Sequence, residues 1–187
     1  MRDAPAFTAV LFGLRGCLVQ TSSGNHLLTP GALDALERLR QQQVPCIWLD
    51  QLEAVQVRLL TQQLPDWLPG HTAKGCEWPA PNACWQALMA LESQRLEGSV
   101  LVSGDPLLLQ SALNAGLWTV GLAACGPSCD LASSQWQGMT RQEQELARGK
   151  ATLALFGMGV HSVIDHLEAL DTCLADIAQR RLKGEKP

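Results

Sequence analysis

Apolar residues fall along this chain in two alternating rhythms. Short runs at 9–12, 46–49, 99–102 and 118–122, with a last one at 161–164, have the length and composition of strands covered on both faces. Between them, apolar residues recur at three and four positions, the spacing of a helix with one buried stripe. A helix over 29–43 is predicted with Thr29 as N-cap, Pro30 at its first position and Leu33, Leu36 and Leu39 inward. A second covers 52–63, with Val55, Leu59 and Leu60 inward. A third starts at Asn82, runs to about 96 and buries Trp85, Leu88, Met89 and Leu96. Asp105-Pro106 reads as N-cap and N1 of a helix that Gly116 ends. Two more are expected over 140–156, despite Gly149, and 167–182. Stretches 20–28, 65–81 and 123–139 read as loops, the second with room for one short strand.

Strands alternating with helices call for a parallel sheet wrapped on both faces, an α/β Rossmann-like architecture. At 187 residues the chain suits one domain, 1–187, and 47% apolar with 17% charged residues describes a globular core. A net charge of −4 gives no general attraction for nucleic acid or anionic membrane. No apolar run approaches about 20 residues, and 1–5 carry no leader-like apolar core, so a cytoplasmic location is expected. Seven cysteines are scattered, and Cys46, Cys84 and Cys173 read as small hydrophobes. Cys125 and Cys129 form a C-x3-C with no second pair and no nearby His, which argues against a metal site.

In open α/β sheets ligands sit beyond the carboxyl ends of the strands. The first strand ends in Gly13-Leu14-Arg15-Gly16-Cys17, which offers neither nucleophile nor carboxylate. Asp50 and Asp105 follow the second and third of the runs above, so they lie at the same edge of a parallel sheet as Arg15. Asp105 is then chiefly a helix cap and Asp50 a cap or turn residue. His161 reads as a surface residue at a strand start, and Trp78 and Trp118 as packing residues. Arg15 divides between an exposed surface cation and a partner for a buried carboxylate. The carboxylate reading puts it within salt-bridge distance of Asp50 or Asp105.

The motifs, taken in order, resemble the haloacid-dehalogenase superfamily and its phosphonoacetaldehyde hydrolase branch. Val10-Leu11-Phe12, Gly16 and Leu18-Val19 keep the frame of the branch's first motif. Trp78-Pro-Ala-Pro81 is similar to its Arg-Pro-Ala-Pro. Ser103-Gly-Asp-Pro-Leu-Leu-Leu109, followed by Asn114-Ala-Gly-Leu-Trp-Thr-Val-Gly121, is similar to its Gly-Asp-Thr-x-x-Asp and Asn-Ala-Gly-Met-Trp-Thr-Val-Gly. Gly159-Val-His-Ser-Val-Ile-Asp165 and the tail with Arg181 and Gly184-Glu-Lys-Pro187 match its C-terminal segment.

The resemblance also implies departures. Gly13 stands where the nucleophilic Asp belongs, Arg15 at the second acid or Ala, and Cys17 at the Thr. Asp50 falls at the phosphate-binding Thr or Ser, Trp78 at the Arg, and Leu109 at the second metal acid, leaving Asp105 as the retained one. Only 20–28 fills the interval that holds the relatives' helical cap. None of Lys74, Lys150, Lys183 and Lys186 lies there to form an imine.

The expectation is a core without its cap and without Mg²⁺ or another cofactor. It would act as a non-catalytic binding or regulatory protein for a protein or small anionic ligand, held at Arg15, Asp50 and Asp105. Its oligomeric state would be a monomer or a dimer formed without a cap. The alternative is a weak hydrolase on phosphonate or phosphate esters.

Overall fold

The computed structural model describes residues 6–22, 25–124 and 138–187. Its main sheet has six strands, all parallel, in the order β5-β4-β1-β6-β7-β8. The strands are β1 (Ala9–Gly13), β4 (Cys46–Asp50), β5 (Gly70–Thr72), β6 (Ser99–Ser103), β7 (Trp118–Leu122) and β8 (Ser162–Ile164). Val10 pairs with Cys46 on one side and with Val100 on the other, which puts β1 at the centre. Every residue of β1, β4, β6 and β7 is buried, as their unbroken apolar runs require of strands covered on both faces. This is the α/β Rossmann-like core expected from the alternating pattern.

Among the described residues six helices flank the sheet: α1 (Ala32–Gln41), α2 (Ala54–Thr61), α3 (Asn82–Ala90), α4 (Pro106–Asn114), α5 (Arg141–Gly157) and α6 (Leu170–Leu182). Side chains of α1 and α6 pack with Val10, Phe12 and Trp118 in one core layer. Side chains of α3, α4 and α5 pack with Leu11, Ile47 and Leu101 in the other. Alternate residues of β1 thus feed opposite layers.

Several expectations are corrected. Most of 20–28 is not a loop: β2 (Val19–Ser22) and β3 (Asn25–Leu28) form an antiparallel hairpin, with Val19 opposite Leu28 and Gln20 opposite Leu27. Thr29 does not cap α1. Gly31 holds the cap position at φ 80°, and the Thr29 hydroxyl instead donates to the Cys17 carbonyl. Leu33 is exposed while Leu36 and Leu39 are buried, because the narrow α1 stripe leaves position 33 outside it. Val55 is 73% exposed and Leu59 is also exposed, and α2 instead buries Leu60 and packs Val57 partly against the core. Helix α3 stops at Ala90, with Pro81 and not Asn82 at its cap position, and Trp85, Met89 and Leu96 are exposed. Its contact with the sheet uses the small residues Ala83, Cys84 and Ala87, which let the helix lie close. A short 3₁₀ turn, Leu167–Ala169, precedes α6. Gly149 does not interrupt α5, which Thr140 opens with a capping box to Glu143. Most of the 123–139 stretch, including Cys125 and Cys129, lies outside the described residues.

Candidate functional site

Past Gly13 the chain turns back on itself. Gly16 adopts φ 66°, and its N–H donates to the Val19 carbonyl at 2.9 Å while Val19 N–H donates to Leu14 at 2.9 Å. A side chain at 16 would be strained in this left-handed conformation. The tight return sets Arg15 over the carboxyl ends of β1 and β4, and Leu14 N–H bonds the Leu49 carbonyl at 2.9 Å to tie the turn to β4.

Asp50, the last residue of β4, is 2% exposed. Arg15 grips it from one side, with Nη2 to Oδ1 at 2.7 Å and Nε to Oδ2 at 2.9 Å. The Arg15 backbone N–H donates to Oδ2 at 3.3 Å, and Gln51 N–H donates to Oδ1 at 2.7 Å. Both carboxylate oxygens therefore accept two or more donors, the fork-to-fork arrangement a guanidinium makes with a carboxylate. Arg15 is itself 48% exposed, so the surface-cation reading and the buried-partner reading describe its two ends. Of the two carboxylates expected to meet it, Asp50 is the one bonded.

Asp105 caps α4. Its Oδ1 accepts Leu107 N–H at 2.8 Å, with Pro106 at the first turn, as the Asp-Pro pair predicts. Behind it lies a serine that sequence reasoning passed over. Ser103 is fully buried at the end of β6, and its Oγ accepts the Asp105 N–H at 3.0 Å. A Cβ built on Gly13 would fall 2.7 Å from this Oγ and 3.3 Å from Leu108. Ser103 therefore fills the space a side chain at 13 would need. Its place directly before Gly104-Asp105 was the available signal.

These groups share one small cavity of about 140 Å³, lined by Gly13, Arg15, Asp50, Trp78, Asp105 and Leu108 among others. Trp78 packs partly against the second core layer, and its buried Nε1 has no hydrogen-bond partner. Cys17 and Leu109 do not join the cavity lining. The Cys17 thiol is buried and donates to the Val102 carbonyl at 3.3 Å, and Leu109 is fully buried in the second layer. Among the described residues, no three His, Cys, Asp or Glu side chains gather as a metal site would need.

His161 is not the surface residue expected. It is half-buried against Trp118, with ring centroids 4.8 Å apart, and its Nδ1 accepts Thr119 N–H at 3.1 Å and faces Thr119 Oγ1 at 2.8 Å. Burial, and then the Arg180 cation, lower its pKa below 6.5. It lies at the start of β8, at the opposite end of the parallel sheet from Asp50. Burial also pushes the Cys46 and Cys84 thiols up to about 12 and about 11, so both remain protonated at neutral pH.

No family model matches the chain. Curated phosphonoacetaldehyde hydrolases from Salmonella gallinarum and Klebsiella pneumoniae are 33% and 32% identical over 109 residues, 58% of this chain. The chain spans 40% of the length of these relatives. One solved structure, 54% identical, superposes with a TM-score of 0.91 over 97% of this chain and 100% of its own. A phosphonoacetaldehyde hydrolase like protein from Oleispira antarctica is 26% identical, with a TM-score of 0.77 over 86% of this chain and 60% of its own. A HAD family hydrolase from Deinococcus radiodurans, 17% identical, covers 93% of this chain at a TM-score of 0.66 and shares the fold.

With its central β1 and its crevice at the carboxyl ends, the chain has the Rossmann-like fold of haloacid-dehalogenase hydrolases. Its sequence similarity falls on the phosphonoacetaldehyde hydrolases.

Proposed function

We propose that this chain is a phosphonoacetaldehyde hydrolase-like protein that has given up catalysis and works by binding a protein or a small anion. The observation that carries the reading is the Arg15–Asp50 fork at the mouth of β1 and β4. Superfamily hydrolysis needs a carboxylate that attacks phosphorus and a divalent cation that shields the anions gathered around it. Gly13 has no side chain at the place the resemblance gives the nucleophile, and Ser103 crowds that place.

The residues present do not fit Mg²⁺. That ion takes an octahedron of hard oxygens with one or two carboxylates from the protein. Here one carboxylate is held by a guanidinium, the other caps a helix with one oxygen, and Leu109 contributes no donor. A fixed positive charge lines the same cavity.

The interval between β1 and α1 carries a turn and the β2–β3 hairpin, which supports a core without a cap insert and so without the imine-forming lysine of the relatives. The competing reading, a weak phosphonate or phosphate ester hydrolase, draws on Asp105 still lining the cavity. Turnover of phosphonoacetaldehyde and of simple phosphate esters, with and without Mg²⁺, decides between them. Blank-level rates support the binding role. Turnover that Asp105→Asn abolishes would replace it with the enzyme.

A further inference from the structure

Two polar groups of opposite kind line the crevice without a full set of partners. The first is the Trp78 indole, whose Nε1 is buried and has no hydrogen-bond partner among the described residues. A buried N–H without an acceptor carries a desolvation penalty that native folds rarely leave uncompensated. The loop around it is pinned at three points. Gln51 Nε2 donates to the Cys76 carbonyl at 2.7 Å, Asn114 Nδ2 donates to the Pro79 carbonyl at 2.9 Å, and the Ser111 hydroxyl donates to the Ala80 carbonyl. Trp78 is thus tied to the end of β4 and to α4, and its N–H belongs to an ordered wall.

The second is Asp105. Its Oδ1 caps α4, whereas its Oδ2 meets no donor among the described residues. Charge then selects the ligand. The cavity lining holds one cation, Arg15, and two carboxylates, Asp50 and Asp105. The fork joins Arg15 to Asp50, which leaves Asp105 as the charge without a counter-ion in the lining. A plain anion would accept the indole N–H but set a second negative charge against Asp105. A ligand with its own ammonium removes that conflict, since the ammonium donates to Asp105 Oδ2 while the oxyanion takes the Trp78 N–H. The space sets the size. At roughly 30 Å³ for each water-sized group, a cavity of about 140 Å³ takes about five non-hydrogen atoms, as many as glycine has.

We infer that the crevice binds a small amino acid as its zwitterion, with the carboxylate on Trp78 Nε1 and the ammonium on Asp105. This rests on the reading of the crevice as a binding site without turnover, and it narrows the small anion to one that carries an ammonium.

Calorimetric titration of the full chain with glycine tests it, with acetate, methylammonium and inorganic phosphate as comparison ligands. Glycine should bind once per chain and at least about tenfold tighter than acetate or methylammonium, each of which satisfies one of the two groups. Asp105→Asn keeps a capping residue on α4, and in it glycine should lose its advantage over acetate. Trp78→Phe keeps an aromatic ring in the wall and removes the N–H, so it should weaken glycine and acetate alike and leave methylammonium unchanged. The ranking of ligands on the wild type decides the matter even where a variant fails to fold. No heat from glycine at about 10 mM overturns the inference and leaves water as the partner of Nε1. Acetate or phosphate bound as tightly as glycine also overturns it, while the small-anion reading of the crevice survives. Glycine binding that both folded variants leave unchanged would put the ligand elsewhere, and overturns it too. Turnover of phosphonoacetaldehyde is measured separately and bears on the non-catalytic reading, not on this ranking.

Discussion

Removing the Arg15 side chain should cost this protein more than a half-exposed arginine ordinarily does. In Arg15→Ala, the buried Asp50 loses the guanidinium bonds at 2.7 and 2.9 Å and keeps Gln51 N–H at 2.7 Å and the Arg15 backbone N–H at 3.3 Å. Breaking a fully buried ion pair costs about 3–5 kcal/mol, because the remaining charge is left without a partner. Two features lower that figure here. The retained N–H donors hold the carboxylate, and the 48% exposure of Arg15 lets water enter the space it leaves. The expected loss is about 2 kcal/mol, which in a chain of this size lowers the melting temperature by about 4–8 °C. Asp50→Asn should cost less, since its amide still accepts and Arg15 can turn to water. The double variant should show a coupling of about 1–2 kcal/mol. The Arg38–Asp171 pair, at 2.9 Å but exposed on both sides, is the internal comparison and should contribute under about 1 kcal/mol. Urea unfolding of the four variants with unchanged m-values is the assay. Arg15→Ala within about 0.5 kcal/mol of wild type, or no costlier than Arg38→Ala, would refute the reasoning and leave Arg15 an ordinary surface residue.

Gly13→Asp should not bring hydrolysis of phosphonoacetaldehyde and should destabilise by about 1–3 kcal/mol, because even its Cβ falls 2.7 Å from Ser103 Oγ; slow turnover in this single variant would contradict the account. Gly13→Ala should show most of the same loss in urea unfolding, and adding Ser103→Ala should recover part of it; no recovery would mean the crowding lies elsewhere. His161 is neutral when folded and its pKa is lowered, so the unfolded chain takes up its proton first as the pH drops. Its contribution to stability is therefore intact above 6.5 and falls as the pH moves from there down toward the folded value, and His161→Gln should flatten that part of the stability–pH profile. Parallel profiles for the two proteins would remove the histidine from the account.

The sheet was legible because a strand buried on both faces cannot hide its composition. Ala9 to Phe12, Ser99 to Val102 and Trp118 to Leu122 read as apolar runs and form β1, β6 and β7. Helix faces were less legible. Val55, Leu59, Trp85 and Met89 fit a helical stripe, yet α2 and α3 rest on the sheet through Leu60 and through Ala83, Cys84 and Ala87, and periodicity does not say which side of a short helix meets the core. The hairpin was missed because Gln20, Thr21 and Asn25 break any apolar alternation in the sequence, and the two-stranded ribbon stands outside the main sheet.

At the crevice, the parallel pattern put Arg15, Asp50 and Asp105 at one edge of the sheet, and the family resemblance put them side by side. The choice of Asp50 as the bonded partner required coordinates, since it follows from the Gly16 turn tilting Arg15 toward β4. Ser103 was passed over because its one signal, the place before Gly104-Asp105, does not say that its hydroxyl reaches the space of a side chain at 13.

Calorimetric titration of Mg²⁺ into the wild type and into Asp105→Asn tests the central claim most directly. No binding heat beyond dilution is expected for either protein at millimolar metal, because a guanidinium lines the cavity and one carboxylate oxygen already caps α4. Stoichiometric heat in the wild type that disappears in Asp105→Asn would contradict it.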